Sequence, residues 1–435
     1  MTVNVAEVWL WNRRVGAVAL DDLGTGIFEY DTDFLKLGLD VAPLMMPLED
    51  ARRGHVIHNF PALNPETFKR LPGLLADTLP DKFGQAIVNA WLARQGRSPN
   101  DFTIIERLCY TGARAMGALE FKPTVIKHLD QPVSVEISEM ITLIQDVMNH
   151  RTSLDVTLSY NEQETQQALL DILRIGTSAG GARAKAVIAY NEKSGEVLSG
   201  QADAPDGFEH WLLKFDGVSD IEFGKTADFG RIEYAYYNMA KAAGITMSES
   251  RLFEENGRAH FMTRRFDRII DNKLHMQSLC AMQHYDFNLA GAYSYEQALM
   301  TMRKMKLSKK EQLQQYRRMV FNVIARNQDD HTKNIAFLMN PQGEWSLSPA
   351  FDMTHSYKPE QGWTQTHQMS INGKRDHFTR QDLIDVAQNS DLKNPNNVIE
   401  EVTAAVKHWP TYANEADVGS QKIEAIAKDH RLALS

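Results

Sequence analysis

Cysteine is almost absent from this chain. Only Cys109 and Cys280 occur, far apart and without metal-ligand spacing. That excludes a disulfide framework and suits a reducing compartment. Nor is there an apolar run long enough to span a bilayer, and Met1–Glu7 lacks the basic and apolar regions of a secretory signal. The expectation is a cytoplasmic protein with no membrane partner. Basic excess is missing too: the formal net charge of −9 argues against a nucleic-acid-binding surface over the whole molecule. Repeats and low-complexity tracts are absent. What remains is 435 residues of ordinary globular composition, 43% hydrophobic and 24% charged, enough for two or three packed units.

The texture changes along the chain. Val5, Val8 and Leu10, a turn at Trp11–Arg14, and Val15–Val18 read as a hairpin. Gly24-Thr25-Gly26 breaks before a further strand, Ile27–Tyr30. Ile87, Val88 and Trp91 stand at helical spacing, Asp101–Leu108 suggests another helix, and Gly112–Leu119 turns into a last strand ending near Pro123. Residues 124–175 read as mostly helical, with Asn161 and Glu164 capping a helix that carries Leu169, Leu170 and Leu173. A strand-rich section follows to about Asp267. The remainder is expected to be helical apart from a hairpin at Ile335–Leu347, and Ser308 with Glu311 forms a capping box for a helix bearing Leu313, Tyr316, Val320 and Val323.

That helix leads to Asp329-Asp330-His331-Thr332-Lys333-Asn334. The hairpin then follows, with Asn340-Pro341-Gln342-Gly343 as its turn, and after it Phe351-Asp352. An aspartate five positions before an asparagine, with a second aspartate returned by a hairpin, is the set that phosphoryl transfer needs. One carboxylate accepts the proton of the attacking hydroxyl, while a carboxamide and another carboxylate hold magnesium on the phosphates. The spacing assigns the proton-accepting role to Asp329 and the metal to Asn334 and Asp352, with His331 and Lys333 placed to offset phosphate charge. A lone Asp-x-x-x-x-Asn is far more often a polar loop. The triple spacing is what shifts the balance.

Upstream lies Ile175-Gly176-Thr177-Ser178-Ala179-Gly180-Gly181-Ala182-Arg183-Ala184-Lys185. Consecutive glycines let backbone amides approach a phosphate closely. This is not a Walker A loop. It contains Gly176-x-Ser178-x-Gly180, the formal pattern of a hydrolase nucleophile elbow, but Ala184–Tyr190 reads as a strand where an elbow needs a helix. Trp211–Phe215 is an apolar strand carrying one lysine, Lys214. Glu233 lies beside the Ile232, Tyr236 and Met239 stripe of a helix and is its natural partner. Alone, Lys214 reads as a surface lysine and Glu233 as an ordinary helical glutamate. Phe261–Arg268 reads as an extended segment at a lobe junction, an adenine-edge strand or a plain edge strand with equal weight. Arg264 and Phe266 are its candidate nucleotide contacts.

Together these residues resemble the HipA family of bacterial serine/threonine kinases, the toxins of HipBA toxin–antitoxin systems. The matching pieces are Gly180–Lys185, Leu213-Lys214, Arg265-Phe266-Asp267-Arg268, Asp329–Asn334 and Phe351-Asp352. In the N-terminal region they are Val8–Val18, Leu75–Asp81 around Leu79-Pro80-Asp81, and Gly112–Leu119. The resemblance implies an α+β, protein-kinase-like two-lobed fold with three parts. A small β-rich N-terminal subdomain spans 1–123, a helical connection and nucleotide-binding lobe 124–268, and a largely helical lobe with the catalytic loop 269–435. It implies ATP and Mg2+ as cofactors, ATP contacts from Ser178, Ala179, Gly180, Gly181, Ala182 and Lys185 besides those named above, and autophosphorylation at Ser178, beside Thr177. It further implies a HipB-like helix-turn-helix antitoxin, operator DNA reached mainly through that antitoxin, and a protein substrate connected with translation, since family substrates include aminoacyl-tRNA synthetases. The chain departs from the family pattern at the loop, with arginine and alanine where better-known members carry glutamine and glutamate, and at Asp330, which replaces a usual glycine.

Two other readings compete with an active kinase. One is a serine hydrolase with Ser178, Asp352 and His377 in hydrolase chain order. The other is a non-catalytic, kinase-like binding partner.

Overall fold

A computed structural model describes residues 3–94, 96–98, 101–124, 133–149, 183–200, 204–218, 228–269, 272–360 and 362–434. The N-terminal part is an antiparallel sheet of β1 (Val5–Leu10), β2 (Arg13–Leu20), β3 (Gly26–Tyr30), β4 (Ile57–Asn59) and β5 (Leu119–Lys122), ordered β4-β3-β2-β1-β5. Trp11 and Asn12 both take positive φ, the two-residue turn whose twist matches the strands it joins. Alternation along β1 buries Ala6, Val8 and Leu10 against Phe34, Leu75 and Leu108. Leu108 sits on the helix Ile104–Thr111, which starts three residues beyond the expected Asp101, where Thr103 and Glu106 form a capping box.

A second antiparallel sheet contains β6 (Lys185–Tyr190), β7 (Val197–Ser199), β8 (Glu209–Lys214), β9 (Ser250–Glu255) and β10 (Arg258–Arg264), ordered β7-β6-β8-β10-β9. Trp211 and Leu213 of β8 are buried with Ile188 and Met262 against the helices Lys82–Arg94 and Ile137–Asn149. The two-residue period therefore turns Leu212 and Lys214 to the opposite face. The strand at the lobe junction, β10, lies between β8 and β9. It is interior, with its ladder filled on both sides, so it is not an edge strand, and over Phe261–Thr263 it does not offer the open backbone that the adenine-edge reading needs. The expected helix over 161–173 lies outside the described residues.

The C-terminal part packs the helices Tyr295–Lys304, Lys309–Ile324, Arg380–Asn389, Pro395–Lys407, Trp409–Glu415 and Ser420–Asp429 around one apolar core. Tyr316, Val320 and Val323 are fully buried there, and Ser308 and Glu311 form the capping box. After the short pair β11 (Arg268–Ile269) and β12 (Asn272–Lys273), the hairpin is β14 (Ala336–Met339) and β15 (Trp345–Leu347), one strand of which pairs with β13 (His275–Ser278) to make a three-stranded sheet. The sequence reading had no strand at His275–Ser278. Between Pro349 and Thr379, where helix was expected, the chain is mostly irregular.

Arg265-Phe266-Asp267-Arg268 fastens the N-terminal part to the rest. Asp267 is fully buried; one carboxylate oxygen accepts from Arg265 Nε at 3.0 Å, and the other from Arg265 Nη2 at 2.7 Å, Arg268 Nη1 at 2.8 Å and the Gly117 amide at 2.6 Å. Both guanidiniums also donate to main-chain carbonyls of Ala115 or Gly117. Burial alone would raise the Asp267 pKa, but the two arginines and the amide hold it far below the usual carboxylate range.

Candidate active site

Lys214, at the end of β8, meets Glu233 of the helix Phe229–Ala242, Nζ to Oε1 being 2.5 Å. Gly230 lets that helix approach the sheet, since a Cβ there would collide with the Ala259 carbonyl of β10. Glu233 is 1% exposed. Its second oxygen accepts from Arg183 Nη1 at 2.9 Å. The Lys214 ammonium also donates to Asp352 Oδ1 across the cleft. Burial opposes the charge on Lys214, yet the carboxylates of Asp352 and Glu233 outweigh it and raise its pKa. Burial likewise opposes ionisation of Asp352, and Lys214 and Lys185 overcome it, keeping this carboxyl below its ordinary range. Asp352 takes φ +52, a conformation that aspartate tolerates better than most residues.

Below the cleft, Lys309–Ile324 ends and Arg326 turns with φ +57 into the loop of Asp329 and Asn334. Asn334 Nδ2 donates to the Asp329 carbonyl at 2.7 Å, which leaves Oδ1 as the acceptor of that carboxamide. Thr332 Oγ1 ties the loop to the Tyr285 carbonyl at 3.0 Å. Asp330 faces inward and is buried: Tyr295 Oη donates to it at 2.7 Å, the Gln368 amide at 2.7 Å, and His367 Nδ1 lies 2.7 Å away. Burial would raise the Asp330 pKa, but these partners lower it. Asp329 has a different setting. Its side chain is 41% exposed, Trp363 Nε1 donates to Oδ1 at 2.7 Å, and His331 Nε2 stands 3.9 Å from the same oxygen. The protein around the carboxyl still raises its pKa, against the pull of His331 and Trp363.

One cleft between the lobes is lined by Lys214, Glu233, Arg264, Phe266, His331, Lys333, Asn334 and Asp352. Those eight expected residues are brought together. Arg264, on its rim, pairs with Glu209 at 3.0 Å. Phe266 leans on Phe351, ring centroids 5.6 Å apart. Lys185 lies directly across the ladder from Lys214, buried and 3.4 Å from Asp81 of the N-terminal part. Ser178, Ala179, Gly180, Gly181 and Ala182 lie outside the described residues, as does Thr177.

The sequence reading missed several members of this site. Asp77, Leu79, Asp81 and Met116 of the N-terminal part also line the cleft, as do the apolar Leu212, Met247, Phe261 and Met353. Arg183 was visible only as a departure from the family loop, and Trp363 carried no signal. The Asp352–His377 pair that a hydrolase set needs is not formed. Asp352 is bonded to Lys214, while His377 is exposed in a left-handed turn with its own amide bonded to Asp376, and no hydrogen bond joins His377 to Asp352.

The residues fit a magnesium nucleotide. Mg2+ on a phosphate chain takes one or two protein oxygens and fills its octahedron with phosphate and water. Asp352 and the Asn334 Oδ1 offer two such oxygens on one cleft. Among the described residues there is no cluster of three or more His, Cys, Asp or Glu side chains suited to hold an ion by itself.

Two family models match the chain, the HipA N-terminal domain over residues 6–122 and the HipA-like C-terminal domain over residues 177–409. The chain belongs to the HipA family. Among solved structures, HipA of Shewanella oneidensis MR-1, from a complex of HipA, HipB and operator DNA, is similar at a TM-score of 0.65 with 17% identity. The match covers 97% of this chain and 94% of that one. The two-lobed HipA fold, with its β-rich N-terminal subdomain and helical C-terminal lobe, is therefore shared over nearly the whole length. The Helicobacter pylori proinflammatory kinase CtkA gives a TM-score of 0.34 at 12% identity, covering 57% of this chain and 92% of that one. A search of curated proteins returned no match. No described helix is long and apolar enough to cross a membrane.

Proposed function

We propose that this HipA-family protein is an ATP- and Mg2+-dependent serine/threonine kinase acting as the toxin of a toxin–antitoxin pair. The observation that carries the reading is the Lys214 ammonium held between Glu233 and Asp352 on the cleft that Asn334 also lines. Magnesium, bound by Asp352 and Asn334, would neutralise charge on the transferring phosphoryl group. Lys214 exchanges Asp352 for the phosphates while Glu233 keeps it in place. Asp329 orients the acceptor hydroxyl and takes its proton. The acceptor oxygen bonds the γ-phosphorus as the bond to the β–γ bridging oxygen breaks, and ADP leaves with that electron pair.

The further parts of the proposal rest on family membership. They are a helix-turn-helix antitoxin of the HipB kind, contact with operator DNA through it, a translation-related substrate such as an aminoacyl-tRNA synthetase, a cytoplasmic location and self-inactivation by phosphorylation of Ser178. Intact-mass measurement and phosphosite mapping after incubation with Mg-ATP tests the reading, with Asp329→Asn alongside. Phosphate on Ser178 or Thr177 in wild type alone is expected. Absence of transfer to itself and to every protein supplied, from an unphosphorylated start, would overturn it.

A further inference from the structure

Asp329 accepts a hydrogen bond from a side chain that has no structural need to be there. Trp363 is a large apolar residue left 41% exposed, and its indole N–H donates to Asp329 Oδ1 at 2.7 Å. It stands on a single 3-10 turn, Trp363–Gln365, beside the exposed Pro359, Glu360 and Gly362. The root of this strap is fixed as firmly as its tip is open. The Gln368 amide and the His367 ring are bound by buried Asp330, and Gln368 Nε2 donates to the carbonyls of Trp363 at 2.6 Å and Gln328 at 3.2 Å. The adjacent aspartates thus divide the work: Asp330 anchors the strap, and Asp329 meets what the strap presents. This also gives the Asp330 departure a physical role, because a glycine there would offer no carboxylate to the root.

We propose that Trp363 fills the acceptor-hydroxyl position, and that the serine- or threonine-bearing segment of the protein substrate docks against this strap and displaces the indole from Asp329. The inference rests on the kinase reading. An indole N–H and an alcohol O–H are both single donors of similar reach, so they compete for one carboxylate oxygen. An exposed ring leaves with little loss of packing, whereas a buried one could not.

Trp363→Phe keeps the ring and removes the donor. Transfer from radiolabelled ATP to a degenerate serine/threonine peptide library is measured for both proteins, with nucleotide affinity measured separately. The expected result is a fall of about 5- to 10-fold in the acceptor KM, the net scale of one partly exposed hydrogen bond, with kcat and ATP affinity held. A merely structural role would lower kcat or shift the melting temperature and leave no selective KM change. Transfer by both proteins with equal acceptor KM overturns this proposal and leaves the kinase reading standing. Transfer by neither overturns both. Trp363→Leu repeats the test with different packing, and a rise in its acceptor KM would count against displacement.

Discussion

Two ionic clusters, built from the same few side-chain types, do opposite work in this molecule. In Arg265–Asp267–Arg268 the single carboxylate is fully buried and saturated with donors, and both arginines also donate to backbone carbonyls of the N-terminal part. In Arg183–Glu233–Lys214–Asp352 one ammonium is shared by two carboxylates that come from different lobes. The first has no vacancy for a ligand and reads as a clamp. The second holds together charges that phosphate and magnesium would separately satisfy, so its bonds are exchangeable. Charge alone does not mark a functional site; the partners available for exchange do.

The contrast can be broken most sharply at Asp352. Asp352→Asn is expected to cut phosphate transfer by about 10²–10³-fold, the scale of losing one preorganised electrostatic contact, with little change in the unfolding midpoint. Radiolabel transfer beside chemical denaturation reads both quantities, and a large stability loss would erase the distinction drawn here. Asp267→Ala should do the reverse. Leaving two arginines buried without their carboxylate costs about 3–5 kcal/mol, seen as an earlier denaturation midpoint. Because the folded Asp267 pKa is lowered, its contribution is complete above the unfolded value of about 4. As pH falls below that value the unfolded chain takes up the proton first, and the stabilisation drains away. The gap between wild type and Asp267→Ala should therefore narrow below about pH 4.

A smaller effect concerns Asp329, the proposed proton acceptor. With the Asp329 pKa raised, transfer should fall on acidification with a midpoint above the ordinary aspartate value of about 3.9. A rate profile flat down to that pH would contradict the assignment. Smallest of all is Arg264→Ala. Its pair with Glu209 is nearly half exposed on both sides, so stability should change by at most about 1 kcal/mol.

How far the sequence could be read follows from the range of each signal. Asp329, Asn334 and Asp352 were legible because a fixed offset and a turn-marked hairpin bring them together locally. Glu233 was legible because a helical stripe placed it beside the buried face. Asp81 was not, since its partner Lys185 lies far along the chain at the start of β6 and no local pattern names a distant partner. The strand β13 is four residues long and pairs with a segment far downstream, which leaves no periodicity to detect. Trp363 reads as an unremarkable aromatic in an irregular stretch, and only the fold sets it on Asp329.

The most direct test of exchange at Lys214 is calorimetric titration of ATP with and without Mg2+, in wild type and in Asp352→Asn. The account predicts binding that depends on Mg2+ in wild type, where the metal must draw Asp352 off Lys214, and loses most of that dependence in the variant. Equal Mg2+ dependence in the two proteins would contradict it.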